Sequence, residues 1–267
     1  MPNRLRFAVY ILALLSLSAC AGVQVGGSGR SLTYGEDAEA NYQAAYEAYE
    51  AGRCLGAEPQ FRRIQRDFPY SGFAALSELG VGDCQLSQGQ YTEAIQTYRR
   101  FIRFRPSHER VPYATFRVAE AFYEQIPSDW FLSPPSYERD LDATRRALQR
   151  LRGFVMQHGE DENAPRAREM IARALRLLAE HELYVARFYM ERNAHEGAIL
   201  RLRGLVTTYP GSGLEPEALL LLGELLRDAS RTEEARQVLT ELRERFPESS
   251  EADRASGMLS ALPTTES

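Results

Sequence analysis

Apolar residues recur at intervals of three and four along several segments of the chain. This spacing places them on one face of an α-helix, because the helix turns once in about 3.6 residues. Segment 91–102 carries such a stripe, formed by Tyr91, Ala94, Ile95, Tyr98, Phe101 and Ile102. Segment 232–246 carries another, formed by Ala235, Val238, Leu239 and Leu242. Both segments are predicted to be amphipathic helices that bury one face.

These segments belong to a repeat marked by proline and by small residues. An aromatic residue, a proline and a serine recur in that order in FPYSGFA (68–74), YPGSGLE (209–215) and FPESSEA (246–252). An alanine lies twelve residues before each of four prolines. An alanine or a glycine lies twenty-four residues before each of the same prolines. The prolines are Pro69, Pro106, Pro210 and Pro247; the residues at the first offset are Ala57, Ala94, Ala198 and Ala235, and those at the second are Ala45, Gly82, Ala186 and Gly223.

The repeat predicts pairs of closely packed helices. Small residues on both helices of a pair let the two backbones approach, and the proline ends the second helix because it lacks an N–H group. Ser71 and Ser249 are placed to cap the helices that follow. The pattern resembles the tetratricopeptide repeat, which forms two helices in about 34 residues. Here the interval is 37 residues, from Pro69 to Pro106 and again from Pro210 to Pro247.

The resemblance implies an all-α superhelix of about five helix pairs, that is ten helices, followed by a terminal helix. We expect one solenoid over residues 37–262 and a disordered tail at 263–267, with repeats at about 37–70, 71–107, 108–160, 161–211 and 212–248. The third repeat departs from the pattern, because Gly159 stands where a proline is expected and an insertion at 127–138 separates its helices. The fourth should have a long first helix, from about Pro165 to Glu191. Such solenoids present extended surfaces to peptides and partner domains.

The N-terminal region has the features of an export signal. Arg4 and Arg6 precede an apolar stretch, 7–17, that is too short to span a bilayer comfortably. The segment LSAC (17–20) resembles a bacterial lipobox, which implies removal of a signal peptide 1–19 and acylation of Cys20. An ordinary signal peptide with a coincidental cysteine is the alternative. Residues 20–36 are rich in glycine and are expected to form a flexible tether.

Composition and charge exclude several classes of function. All 32 basic residues are arginine, so mechanisms that need a lysine are ruled out. The net charge of −5 argues against a nucleic-acid-binding protein. No nucleophile or nucleotide-binding motif is present, and no metal-ligand spacing links the four histidines, His108, His158, His181 and His195. The sequence predicts a protein that is not an enzyme and has no metal or cofactor, apart from the lipid on Cys20.

Cys54 and Cys84 would meet an oxidising compartment in an exported protein. The repeat places them on helices that should be antiparallel and adjacent, so a disulfide between them is one hypothesis. Two small apolar side chains packed in the stack are the other.

Two further regions are candidate contact surfaces. The insertion carries Trp130 and Phe131, which either contact a partner or fill a groove of the solenoid itself. Arg192 and Arg201 lie in segment 181–210 and are not explained by helix packing. They are candidates for pairing with carboxylates of a partner.

The ordered set of segments resembles the BamD (ComL) family of outer-membrane assembly lipoproteins. The resemblance covers the mature chain, and it rests on Cys20 with its tether and on FPYS (68–71), FIRFRPSHERVPYA (101–114) and HELYVARFYMERNAHEGAI (181–199). It implies a non-catalytic scaffold of the β-barrel assembly (BAM) complex. Ala21 after the cysteine implies, by the lipoprotein resemblance, sorting to the outer membrane, where the lipid would anchor the protein on the periplasmic face.

The same resemblance implies two binding regions. The C-terminal half, with Arg192 and Arg201, would hold the POTRA domain of BamA beside the other BAM lipoproteins. The N-terminal half would bind the C-terminal signal of nascent outer-membrane β-barrel proteins in a groove lined by Tyr42, Tyr46, Tyr49, Phe73 and Tyr113. The repeat alone would also suit another periplasmic tetratricopeptide lipoprotein, such as a Tol–Pal accessory or a pilus-assembly factor.

Overall fold

The computed structural model describes residues 34–126 and 135–263. Within these two ranges the regular secondary structure is entirely helical: eleven α-helices and one short 3-10 helix, Ser136–Glu138. The α-helices are α1 (Tyr34–Glu50), α2 (Cys54–Asp67), α3 (Gly72–Ser87), α4 (Tyr91–Phe104), α5 (Val111–Tyr123), α6 (Asp142–Gln157), α7 (Ala164–Glu191), α8 (His195–Thr208), α9 (Glu215–Asp228), α10 (Thr232–Arg245) and α11 (Ser250–Ala261). The all-α fold expected from the sequence is confirmed, as five pairs and a terminal helix.

From Ala38 onward the helices form a stack in which neighbours in sequence are neighbours in space. Each helix from α2 to α10 packs on the next one along the chain. Helices α3 and α4 are antiparallel, because Gln85 near the end of α3 bonds Thr97 whereas Glu78 bonds Arg100 further along α4. Helix α11 packs on both α9 and α10 and covers the last pair. Stability in such a stack comes from each pair and its immediate neighbours.

The small residues of the repeat lie where two helices meet. Ala57, Ala94, Ala198 and Ala235 on the second helices are all fully buried. A Cβ atom at Gly82 would lie 2.7 Å from the ring of Tyr98, and one at Gly223 would lie 2.5 Å from Leu239 Cδ2. These distances are too short for non-bonded carbon atoms, so at both positions the facing side chain occupies the space that a methyl group would need.

The marked prolines lie just beyond helix ends. Helices α2, α4, α8 and α10 each end two residues before their proline. Two of the serines that follow are N-caps: Ser71 Oγ accepts a hydrogen bond from the Phe73 N–H at 3.2 Å, and Ser249 Oγ accepts one from the Ala252 N–H at 3.2 Å. Both caps were expected from the sequence.

The third serine, Ser212, begins its helix differently. Its hydroxyl donates to the carboxylate of Glu215 at 2.9 Å, and that carboxylate also accepts the Gly211 N–H at 2.5 Å. Burial alone would raise the pKa of Glu215, but these hydrogen bonds hold the pKa below its usual value. Glu215 therefore stays ionised and closes the turn before α9.

The middle of the chain departs from the regular spacing, as the sequence indicates. Helix α7 has 28 residues and begins at Ala164. The 3-10 helix before α6 packs on it: the Tyr137 carbonyl oxygen lies 2.5 Å from His181 Nδ1, and the Tyr137 ring lies 5.5 Å from that of Tyr184. Trp130 and Phe131 of the insertion lie outside the described residues.

Replacing Gly223 with alanine should lower the free energy of unfolding by about 1–3 kcal/mol. The added methyl group would overlap the buried Leu239 side chain, and this overpacking outweighs the helix propensity of about 1 kcal/mol that alanine contributes. Gly257→Ala in α11 is the matched control, because no atom lies within 4 Å of its Cβ position, and it should leave stability equal or raise it. Denaturant unfolding of both variants measures this; equal stabilisation by both would contradict the close approach.

Candidate functional site

Of the five aromatic residues predicted to line a groove, Tyr42, Tyr46 and Tyr113 line one cleft at the N-terminal end of the stack, whereas Tyr49 and Phe73 are not part of its lining. The rings of Tyr42 and Tyr46, one turn apart on α1, stack with their centroids 5.9 Å apart. Tyr42 also lies 5.5 Å from Phe73 of α3, and Tyr46 lies 6.0 Å from Tyr49. We call the adjacent cleft of about 190 Å³ the aromatic cleft; it is lined by Tyr42, Tyr46, Leu76, Leu79, Gly80, Asp83, Arg110 and Tyr113.

A buried carboxylate holds the floor of the aromatic cleft. Oδ1 of Asp83 on α3 accepts hydrogen bonds from the hydroxyl groups of Tyr98 at 2.6 Å and Tyr113 at 2.8 Å, and from Arg117 Nε at 3.0 Å. Arg117 Nη1 also donates to Glu120 at 2.6 Å. One oxygen atom thereby ties α3 to α4 and α5 and fixes the Tyr113 ring in the wall of the cleft.

Burial and charge keep this network in one protonation state. Burial, strengthened by the negative charge of Asp83, raises the pKa of Tyr49 to about 12 and raises the pKa of Tyr98 and Tyr113 further. Burial would lower the pKa of Arg117, but its neighbours raise it instead. At neutral pH all three tyrosines are protonated, Tyr98 and Tyr113 donate hydrogen bonds to Asp83, and Arg117 is a cation.

Arg110, which the sequence did not single out, lies at the mouth of the cleft. Its guanidinium is exposed and is near enough to Tyr42 and Tyr46 to lower their pKa values slightly, against the larger effect of burial. Within the described residues no carboxylate forms an ion pair with Arg110. The cleft therefore combines aromatic faces with an exposed guanidinium that is in no ion pair in this part of the chain, although Glu109, Asp161 and Glu162 line a neighbouring pocket with it. Aromatic rings beside an arginine suit an aromatic side chain next to a carboxylate.

The two candidate arginines of the C-terminal half have separate surroundings. The Arg192 guanidinium carbon lies 3.5 Å from the centre of the Phe188 ring, and Arg192 continues a stripe on α7 with the exposed Phe188 and Tyr184. Arg201 on α8 is half-buried, and its Nη1 donates to Glu182 at 3.2 Å. Arg201 therefore already has a carboxylate partner within the chain, whereas Arg192 presents its charge next to exposed aromatic residues.

Cys54 and Cys84 are buried free thiols in the structure, in the packed arrangement that was the second hypothesis. Ser87 Oγ lies 3.0 Å from Cys54 Sγ. Burial raises the pKa of Cys84, and hydrogen bonding to Cys54 raises it further, which keeps the thiol protonated and unreactive. Formation of a disulfide on oxidation stays a prediction.

The residues described contain neither a metal-binding cluster nor a membrane-spanning helix. Among the residues described, no three His, Cys, Asp or Glu side chains are grouped so that they could hold a metal ion. No helix in that part of the chain has the length and apolar character needed to cross a bilayer. Cys20, the expected site of lipid attachment, lies outside the described residues.

Stability should fall as the pH rises from about 8 to about 11. Unfolded tyrosine loses its proton near pH 10, whereas the folded protein keeps the proton on Tyr49 up to about pH 12, so the unfolded state binds fewer protons in this window. Tyr49→Phe should reduce the loss, and Tyr70→Phe, whose side chain is 95% exposed, should not. Urea unfolding at both pH values measures the difference; the same loss in Tyr49→Phe and wild type would show that Tyr49 is not shielded.

Comparison with known proteins gives consistent matches over most of the chain. The model of the YfiO family, described as outer membrane lipoprotein, matches residues 35–228, and a tetratricopeptide repeat model matches residues 217–249. The chain is 30% identical to the outer membrane protein assembly factor BamD of Caulobacter vibrioides over 91% of its own length and 77% of that protein. It is 26% identical to BamD of Xylella fastidiosa over 74% of this chain and 70% of that one, and 24% identical to BamD of Neisseria gonorrhoeae over 88% and 89%. This chain belongs to the BamD (YfiO) family of outer membrane lipoproteins.

Proposed function

We propose that this protein is an assembly factor for outer-membrane β-barrel proteins, acting as a scaffold without a catalytic step. The observation that carries the proposal is the aromatic cleft with Arg110 at its mouth, in a chain whose relatives are named assembly factors. A rigid stack suits this role, because residues that bind a substrate and residues that bind a partner can be held on different helix pairs. The scaffold works by binding, and lipid on Cys20 holds it at the periplasmic face of the outer membrane.

The aromatic cleft is proposed to take the C-terminal signal of a nascent barrel protein. A terminal aromatic side chain would enter among Tyr42, Tyr46 and Tyr113, whose hydroxyl and ring groups line the cleft. Its terminal carboxylate would pair with Arg110, which has no such partner within the described residues. Because both groups belong to the last residue of a peptide, the cleft would distinguish a chain end from an internal aromatic residue.

The C-terminal half is proposed to bind the POTRA domain of BamA, beside other lipoproteins of the complex. Arg192, Phe188 and Tyr184 form an exposed stripe of one cation and two aromatic rings on α7, the composition enriched at protein interfaces. Arg201 would contribute only by exchanging Glu182 for a partner's carboxylate, so its share of the binding energy should be the smaller one.

Arg110→Glu should weaken binding of a short peptide with a C-terminal phenylalanine by about tenfold or more, because it replaces attraction of the terminal carboxylate by repulsion. Arg103→Glu makes the same charge change on an exposed residue of α4 outside the cleft and should have little effect. The same peptide with an amidated C-terminus should bind weakly to the wild-type protein and to the Arg110→Glu variant. Fluorescence anisotropy with labelled peptides measures this; equal affinity for acid and amide would refute recognition of a chain end.

Arg192→Glu should reduce recovery of BamA with the lipoprotein from detergent-solubilised membranes severalfold or more, and Arg201→Glu should have a weaker effect. Arg173→Glu is the control, because Arg173 is an exposed arginine within α7 whose nearest carboxylate, that of Glu169, is 3.7 Å away. Circular dichroism of each variant separates loss of the complex from loss of the fold. An intact complex in the Arg192→Glu and Arg201→Glu double variant would show that this face does not hold BamA.

A further inference from the structure

A second cleft, apart from the aromatic cleft, opens along α6; at one end its lining residues Thr208 and Tyr209 also line the pocket that holds Arg201. It has a volume of about 900 Å³ and extends from Arg99 and Ile102 on α4 to Thr208 and Tyr209 at the end of α8. Its size lies within the range of about 300–1,000 Å³ that is usual for ligand sites. We call it the arginine groove, because Arg99, Arg145, Arg150 and Arg152 line it and no acidic residue does.

The positive charge of the arginine groove is not balanced locally. Within the described residues, Arg99, Arg150 and Arg152 form no ion pair with a carboxylate, and Arg145 pairs only with the exposed Asp142 at 3.1 Å. Elsewhere in this acidic chain arginines commonly pair with acidic side chains, such as Arg100 with Glu78. A cluster of uncompensated cations in a protein of net charge −5 is a local feature that stability alone does not explain.

One aromatic ring holds two of these guanidinium groups in place. The guanidinium carbons of Arg99 and Arg150, from α4 and α6, each lie 5.6 Å from the centre of the Phe122 ring. Burial lowers the pKa of Arg99, and the like charge of Arg150 lowers it further. The two cations are therefore kept together against their repulsion, which an anionic ligand would relieve.

The spacing of the charges indicates an extended ligand with several anionic groups. Arg145 and Arg152 are seven positions apart on α6, which separates them by about 10 Å along the helix axis. An extended peptide places residues three positions apart at a similar distance. Met156, whose side chain is 80% exposed, and Ile102 add apolar surface to the same groove. A single small anion would use neither the spacing nor this apolar surface.

We propose that the arginine groove binds an acidic segment of a partner protein, in which carboxylates about three residues apart alternate with apolar side chains. One carboxylate pairs with Arg152 and with the neighbouring Arg99 and Arg150, the next pairs with Arg145, and an apolar side chain lies against Met156 and Ile102. The groove shares no lining residue with the aromatic cleft and does not include Arg192.

The test uses the full mature chain in detergent and a fluorescent peptide with two glutamates three positions apart and leucines between them. The double variant Arg99→Gln and Arg150→Gln should lose about tenfold or more in affinity, with wild-type binding weakening as salt is added. The double variant Arg103→Gln and Arg146→Gln changes the same two helices outside the groove and should bind within about twofold of wild type. Replacing the peptide's glutamates by glutamines should remove the difference.

A second variant, at an exposed position, shows whether weaker peptide binding by the first double variant reflects loss of the groove's charge or misfolding. Met156→Glu places a negative charge at an exposed position in the groove and should also repel the peptide, whereas Leu55→Glu, 84% exposed on α2, should not. Equal peptide affinity in the groove and control variants would overturn the proposal. So would groove-dependent binding of phosphatidylglycerol vesicles without binding of the peptide, because the anion would then be a lipid headgroup.

Discussion

The close approach of paired helices at small residues is the constraint on which the rest of the structure depends. Gly82 faces Tyr98 and Gly223 faces Leu239 at distances that admit no additional carbon atom. Because a large side chain on one helix fills the space left by a small residue on the other, the pair has a single register. Stacking pairs of fixed register then sets where every surface residue lies. The positions of the residues that line the aromatic cleft and the arginine groove therefore follow from this packing.

The aromatic cleft depends on a second interaction, made by Asp83. Helix packing brings α3, α4 and α5 side by side, but the shared oxygen of Asp83 orients Tyr98, Tyr113 and Arg117. A buried carboxylate is costly unless it is paired and fully hydrogen-bonded, and here three donors satisfy it. The result is a wall of neutral tyrosines next to a polar floor. Such a wall holds the Tyr113 ring in a fixed orientation beside the cleft.

The charge of the molecule is divided between structure and surface. Many arginines pair with carboxylates of other helices: Arg105 pairs with Glu78 of the preceding helix α3, and Arg254 of α11 pairs with Glu224 of α9. These pairs join helices that pack on each other in the stack. Arg110, Arg192 and three arginines of the groove differ, because they form no ion pair with a carboxylate in the described residues; the three are Arg99, Arg150 and Arg152. Three separate regions are thereby left positive on one scaffold. This distribution suits a protein that holds several acidic or carboxylate-bearing partners at once.

The sequence by itself determined the helices and their pairing, because those properties depend on residues close together in the chain. Pro69, Ala57 and Ala45 mark one hairpin within twenty-five positions, and the same marks recur three more times. The sequence also identified Tyr42, Tyr46 and Tyr49 of α1 as candidate groove residues, and these lie about one helical turn apart. Only the tertiary structure decided that Asp83 meets Tyr113 and that Arg99 and Arg150 share the Phe122 ring. Those groups lie on different helices, and no local pattern specifies which side chains meet when helices stack, since packing rather than spacing chooses them.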